Sequence, residues 1–311
     1  GLNLALDAAV AEAARYEHAV YTGHNLVHID VVCFDFLGVN PFDSQLCLIR
    51  NCCVTQGFRD RDIGILQRNI FADNGNATDG GEAINVKAGC KLDIANNIIY
   101  NACTNAFKLS NSGNSELIPL TQLTAYNNTI VNCGWRRAKN KKGGSVWLEK
   151  AIAPTFVNNL VYDCRYGLKQ PKKDGADLEH STVAPNYYFA STETGVKQMS
   201  KDADMIIWND NDIKSSVAGQ LNPLLKNFKQ SDKMNINCEI DNVQQGAPLA
   251  FDRSWNFNLQ QGSPALSGGF TGIQRIFPTG LAFFGMKKVM FLDNCNDQNY
   301  YFAAPIPTTQ F

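Results

Sequence analysis

The feature that most restricts this chain is an asparagine that returns ahead of a short apolar run. Four segments carry it: Arg68-Asn69-Ile70-Phe71, Asn96-Asn97-Ile98-Ile99-Tyr100-Asn101-Ala102-Cys103, Asn127-Asn128-Thr129-Ile130-Val131-Asn132-Cys133 and Asn158-Asn159-Leu160-Val161-Tyr162-Asp163-Cys164. Arg50-Asn51-Cys52-Cys53-Val54 is a weaker fifth copy. The key asparagines, 51, 69, 97, 128 and 159, stand 18, 28, 31 and 31 residues apart. A constant core with variable spacing describes a regular coil into which loops of changing length are inserted.

Asparagine has a physical use at this place. A sharp bend between two strands needs a left-handed backbone position, which Asn tolerates best after Gly. Stacking Asn over Asn also lets each amide bond the turn above. The residues after the Asn are β-branched or aromatic, which reads as strand. The residues before it, such as Leu92-Asp93-Ile94-Ala95 and Leu123-Thr124-Ala125-Tyr126, alternate as a second strand. A third strand precedes each of those: Ala83–Lys87, Ala106–Ser110, Val146–Glu149 and Tyr166–Lys169. Three short strands per coil make an all-β fold, the right-handed, single-stranded parallel β-helix. A leucine-rich horseshoe also carries an Asn ladder, but it needs a dense Leu-x-x-Leu-x-Leu frame that these repeats lack.

An open solenoid exposes its core and a strand edge, so its ends need covers. Residues 2–16 are rich in Ala, Leu and Glu and suit an amphipathic helix over the first coil. The expected organisation is one continuous domain: a capping helix at 1–20, regular coils at 21–190, and irregular late coils with a C-terminal cap at 191–311.

Composition narrows the class. The chain is 44% apolar and 18% charged with net charge −1, which excludes a disordered or broadly basic protein. No apolar run reaches membrane-spanning length, so no membrane insertion is expected. The chain begins at Gly1, read as a trimmed end from which a targeting segment has been removed. Ten cysteines and four histidines without any Cys-x-x-Cys spacing argue against zinc. Cys103, Cys133 and Cys164 fall at one repeat position and are expected as a buried, reduced column. The state of Cys52, Cys53, Cys90, Cys238 and Cys295 stays open.

Aligning the third strands places Ile84, Phe107, Val146 and Tyr166 in one inward column and Val86, Leu109, Leu148 and Leu168 in the next. Side chains alternate along a strand, so the outward columns are Asn85, Lys108, Trp147, Gly167 and, beside it, Lys87, Ser110, Glu149, Lys169. An exposed Trp147 offers a flat face for a pyranose ring. Lys87, Lys108 and Lys169 are placed to bind carboxylates or sulfates, although Glu149 and Lys169 could simply pair on a solvated face. The segment Trp135–Gly144 adds five cations, among them Arg136 and Arg137, and no acid. Lys172 and Lys173 follow in the next such loop. Cations gathered at one edge of a nearly neutral chain favour a polyanionic ligand. Aromatic interleaving is too thin for nucleic acid.

Two late stretches resemble the end of secreted bacterial β-helix proteins. Leu221-Asn222-Pro223-Leu224-Leu225-Lys226-Asn227 resembles their Asp-Pro-Leu-Phe-Val-Asn motif, and Phe257–Leu266 resembles their Leu-x-x-Gly-Ser-Pro-Ala-Ile motif. With the coil pattern this covers roughly residues 45–270 and is similar to the pectate-lyase-like superfamily. The resemblance implies an extracytoplasmic protein (secreted, periplasmic or cell-surface) that acts on polysaccharides. A shorter likeness, Gly80-Gly81-Glu82-Ala83-Ile84, resembles a segment of alginate lyases and chondroitinase B. This chain departs from it: Asp79 and Asn85 replace the flanking Asn and Arg, and Thr104 and Asn105 stand where those enzymes carry paired calcium-binding glutamates.

The expected partner is therefore an acidic polysaccharide, bound by a monomer. For a uronate polymer the natural reaction is β-elimination, in which a base removes the proton next to the sugar carboxylate. Lys108 is the expected base, with Lys87 and the basic loop lowering its pKa so that more of it is neutral and able to accept the proton. Lys87, Arg136 or Arg137 would hold the carboxylate. Asp73, Asp79 and Glu82 are candidate Ca2+ ligands, against the plainer reading of Asp73 and Asp79 as turn residues. A glycoside hydrolase would need two carboxylates about 6.5–9.5 Å apart for inversion, and only Glu149 is placed on this face. A non-catalytic glycan-binding or surface protein would show the same cations without a working base.

Overall fold

The computed structural model describes residues 41–45, 48–50, 56–58, 63–67, 70–72, 82–86, 90–102, 104–110, 121–135, 145–149, 153–171, 175–201, 206–228 and 254–278. The expected N-terminal capping helix, Asn51, Asn69 and Cys103 lie outside them.

Each coil contributes three strands. The first holds β1 (Pro41–Gln45), β2 (Leu48–Arg50) and β3 (Gln56–Phe58). The second holds β4 (Ile63–Gln67), β5 (Ile70–Ala72) and β6 (Ile84–Val86). The third holds β7 (Lys91–Ala95), β8 (Ile98–Tyr100) and β9 (Phe107–Ser110). The fourth holds β10 (Gln122–Tyr126), β11 (Thr129–Val131) and β12 (Val146–Glu149). The fifth holds β13 (Thr155–Val157), β14 (Leu160–Tyr162) and β15 (Leu168–Lys169). β16 (Tyr187–Phe189) and β17 (Ile213–Lys214) extend one stack further.

Strands of like position pair in parallel into three sheets. The first sheet runs β1-β4-β7-β10-β13, the second β2-β5-β8-β11-β14-β16-β17, and the third β3-β6-β9-β12-β15. Inward side chains stack rung on rung: Ile99 over Ile130 over Val161 on the second sheet, and Ile84, Phe107 and Val146 on the third. All six are buried in the interior of the solenoid.

The two asparagines of each pair divide the labour. Asn96, Asn127 and Asn158 take the left-handed bend, with φ of 56°, 54° and 57°. Asn97, Asn128 and Asn159 turn inward and form the ladder. The expectation had given both tasks to the second Asn. Asn97 Nδ2 donates to Asn128 Oδ1 (3.0 Å), Asn128 Nδ2 to Asn159 Oδ1 (2.9 Å) and Asn159 Nδ2 to Asn186 Oδ1 (3.0 Å). Each Oδ1 also accepts a backbone N–H from the coil below, at 3.0 Å in all three steps. The ladder ends on an acid, with Asn186 N donating to Asp212 Oδ1 at 2.8 Å. At the next bend Asn101, Asn132 and Asp163 are again left-handed.

Cys133 and Cys164 are free and buried, and Cys133 N lies 3.4 Å from Cys164 Sγ as a donor. Cys90 is also free and buried. Burial drives the Cys164 thiol well above its usual range, which keeps it inert.

The chain after the coils covers two of the three faces. An antiparallel hairpin, β18 (Leu225–Asn227) with β19 (Asn256–Leu259), lies on the second sheet. Its Leu225, Phe228, Phe257 and the following Ala265 form an outer core with Tyr100, Val131, Leu160, Tyr162 and Phe189. Leu225, Phe257 and Ala265 come from the two late motifs noted in the sequence, and Phe228 directly follows the first; their physical task is to cover this sheet. Ser263 Oγ, at the start of a short 3-10 turn (Pro264–Leu266), donates to the Pro223 carbonyl and ties the two motifs together. Residues 270–277 then cross the outside of the first sheet as a strap. Phe270 N donates to Asn158 Oδ1 at 2.6 Å, while Ile276 N and Phe277 N donate to the two oxygens of Asp93 at 2.9 and 2.8 Å.

Candidate functional site

The third sheet is the face that the described C-terminal segment leaves alone, and it carries the charged column. Register places Asn85, Lys108 and Trp147 side by side on successive rungs, as the alternation of side chains requires. Phe107 and Leu109 point into the core, so Lys108 points out. Its side chain is 25% exposed, and Nζ lies 3.8 Å from Glu82 Oε1. Glu82 was expected as a metal ligand; here it faces a cation. Asn85 is half-buried beside them, and its Oδ1 is buried without a hydrogen-bond partner.

Three expectations on this face need correction. Trp147 is only 7% exposed, so its ring is no open platform for a sugar. Its Nε1 donates to Glu149 Oε2 at 3.2 Å, which engages the acid expected to pair with Lys169. Lys169 is fully buried and its Nζ sits 3.8 Å from the centre of the Tyr166 ring, a cation–π contact in place of a solvent-facing charge.

The register of the last coil also differs from the expected one. Leu168, not Tyr166, pairs with Val146, and Lys169 pairs with Trp147. The whole rung is thus displaced by two residues from the expected alignment. Gly167 precedes β15 in close approach to Trp208: a Cβ there would stand 2.9 Å from the indole. Ile207 N then donates to the Leu168 carbonyl at 2.8 Å and closes the end of the sheet.

Of the other expected site residues, Lys87, Arg136, Arg137, Asp73 and Asp79 lie outside the described residues. Among the described residues no three acids, histidines or cysteines gather as a metal site. Glu82, the one described member of the expected calcium set, is engaged by Lys108, so the described residues do not fit a Ca2+ centre and no chemical step here uses one.

Sequence reasoning also missed the last rungs of the ladder. Asn186 follows Pro185 instead of a second Asn, so the doubled signature is lost, though Tyr187-Tyr188-Phe189 after it is the usual strand run. Asp212 and the Glu82–Lys108 pair had no signal in spacing at all.

A three-sheeted parallel solenoid with an inward amide ladder defines a β-helix protein. The chain belongs to the right-handed β-helix region family, whose model matches residues 25–211, more than half of its length. No curated protein and no solved structure matches it.

Proposed function

We propose that this is an extracytoplasmic, carbohydrate-active protein that takes an acidic glycan along the third sheet and cleaves it by β-elimination. The observation that carries the reading is Lys108, partly exposed on the flat outer face with Asn85 and Glu82 beside it. A uronate carboxylate entering here competes with Glu82 for the ammonium group. Asn85, half-buried on the neighbouring rung, borders the same face. Lys108 acts as base only after giving its ammonium proton to solvent, and it then takes the proton next to the sugar carboxylate. The electron pair left behind forms the new carbon–carbon double bond, and the glycosidic oxygen leaves and takes up a proton from Lys108 or water.

The two acids near this column do not support a hydrolase. Glu82 precedes its strand by two residues and Glu149 stands two rungs higher and five positions along. At about 3.3 Å per residue and 4.8 Å per rung, their backbones are roughly 19 Å apart, beyond the spacing of an inverting or retaining pair. A second reading, a glycan-binding protein without catalysis, is favoured by the Glu82 contact, because a lysine that already faces a carboxylate is placed to hold an anion.

The test is ultraviolet absorbance of unsaturated uronates, measured over a panel of acidic polysaccharides. The lyase reading expects product from wild type and none from Lys108→Ala, with glycan binding retained by that variant. Binding by wild type with no product from any polymer would leave the binding protein, and absence of both would remove acidic glycans altogether.

A further inference from the structure

A second cleft lies on the opposite side of the molecule, between the outer face of the first sheet and the strap. Thr124 pairs with Thr155, and Thr155 bridges Thr182, so three threonines stand in line on successive rungs. Strands alternate their side chains, and Leu123, Ala125 and Phe156 between them belong to the interior, so this line faces out. The strap crosses it lengthwise, fixed at Asn158 above and at Asp93 two rungs below. A cavity of about 490 Å3 remains beside it, with Gln122, Thr155 and Thr182 on the sheet side and Phe270, Gln274 and Arg275 on the strap side. That volume is within the range of small-ligand sites.

The lining has a consistent chemistry. Its charged groups are already engaged. His180 Nδ1 lies 2.9 Å from Asp177, while Arg275 donates to the Pro278 carbonyl and faces the Asp93 carboxylate. The Thr124 hydroxyl also serves Asp93. The side chains of Gln122, Thr155, Thr182 and Gln274 are different: they are part of the lining and make no hydrogen bond within the described protein. Hydroxyls and carboxamides both donate and accept, which matches a sugar hydroxyl and wastes itself on a carboxylate. The Phe270 ring lies against Gly272, where a Cβ would come within 2.9 Å of its Cζ, and supplies an apolar wall for a ring face. Ala153, on the rim, holds a left-handed φ of 37°, a strained position of the kind found at ligand sites.

The geometry points to a binding site for a neutral saccharide, separate from the charged third sheet and independent of any lyase activity there. The threonine line supplies hydroxyl contacts at a fixed repeat, the two glutamines reach from either side, and Phe270 covers one ring face. Because no charge is left over, binding is insensitive to salt, unlike that of a polyanion.

Calorimetric titration with cellotriose, mannotriose and xylotriose tests this. One of them is expected to bind, with equal affinity at low and high salt. The double variant Thr155→Val, Thr182→Val keeps the β-branched shape, so its melting temperature should hold while affinity falls by at least about tenfold from two lost hydrogen bonds. Gln274→Ala, on the strap, should weaken binding without touching the sheet. Lys108→Ala should bind as wild type does. Failure of all three trisaccharides to bind, or binding that survives both the valine pair and Gln274→Ala, would overturn the site. A missing unsaturated product bears only on the third sheet and leaves this result standing.

Discussion

The second and third sheets are cut from the same coils, yet their outer faces have opposite fates. On the second sheet the outward residues are Ile98, Tyr100, Val131, Leu160, Tyr162, Tyr187 and Phe189, and the hairpin β18–β19 covers them with Phe228, Phe257 and Leu225. On the third sheet the outward residues Asn85, Lys108 and Glu149 are part-exposed, while Trp147 and Lys169 beside them are buried; Lys108 faces Glu82 and Glu149 accepts from Trp147. One face is a second hydrophobic core and the other is the charged surface. The backbone repeat does not decide this; the outward positions do. A solenoid can therefore be stabilised on one side and kept for recognition on another without altering its coil.

The comparison breaks most visibly at the cover. Phe257 is fully buried against Phe228 and Trp255, with ring centroids 4.9 and 6.2 Å away. Phe257→Ala should destabilise the protein by about 3–5 kcal/mol, the range for a buried aromatic truncation. Thermal unfolding checks it; a loss as small as that of a surface substitution would mean that the hairpin does not hold the second sheet.

A smaller effect is expected at the bend that joins the two sheets. Asp163 occupies the position held by Asn101 and Asn132 in the coils below. Burial pushes its carboxyl up from 3.8 to about 6, only partly offset by the Ser191 N–H. Its Oδ2 is buried without a partner, so the ionised form has an uncompensated oxygen there. The sign follows from proton binding. Between about pH 4 and pH 6 the unfolded chain loses this proton while the folded chain keeps it, so stability falls as pH rises through that window. Asp212, also raised to about 6 by burial, acts in the same direction. Asp163→Asn should raise stability at pH 7 by about 1–2 kcal/mol and flatten the slope between pH 4 and 6. Chemical unfolding at several pH values measures both, and a variant less stable than wild type at pH 7 would contradict a costly buried carboxylate at this bend.

The least effect belongs to the open face. Lys108→Ala should change stability by less than about 0.5 kcal/mol, since a part-exposed ion pair at 3.8 Å contributes little. Its effect should appear in product formation instead. A large stability loss would move Lys108 into the structural half of the comparison.

What the sequence reveals divides along the same line. The Asn-plus-strand repeat made the coil and its three strands legible, because a rung has one solution once its inward residues and bends are set. The order of Ile84, Phe107 and Val146, and the outward direction of Lys108, followed from period two alone. The last rung failed because Tyr166 and Leu168 are both large and apolar and two residues apart, so alternation does not choose between them. Trp147 and Lys169 could not be read as covered, because alternation tells which way a side chain points and nothing about what lies over it. Asp93 meets Ile276 and Phe277 across 183 and 184 residues, a contact that no local pattern announces.

The carboxylate at the end of the amide ladder has a consequence for length. Asn128 and Asn159 each receive through an oxygen and hand on through a nitrogen, from Asn97 below to Asn186 above, so the column has a direction and each amide dipole adds to the last. Asp212 receives from Asn186, and from Asn209 N at 3.0 Å, but an ionised carboxylate has nothing to hand on. Its negative charge also sits at the positive end of the summed dipoles, as an acid does at the start of a helix. It is thus a terminator written into the chain: a further coil would find no donor to begin from, and the same residue that closes the column keeps its end from templating another.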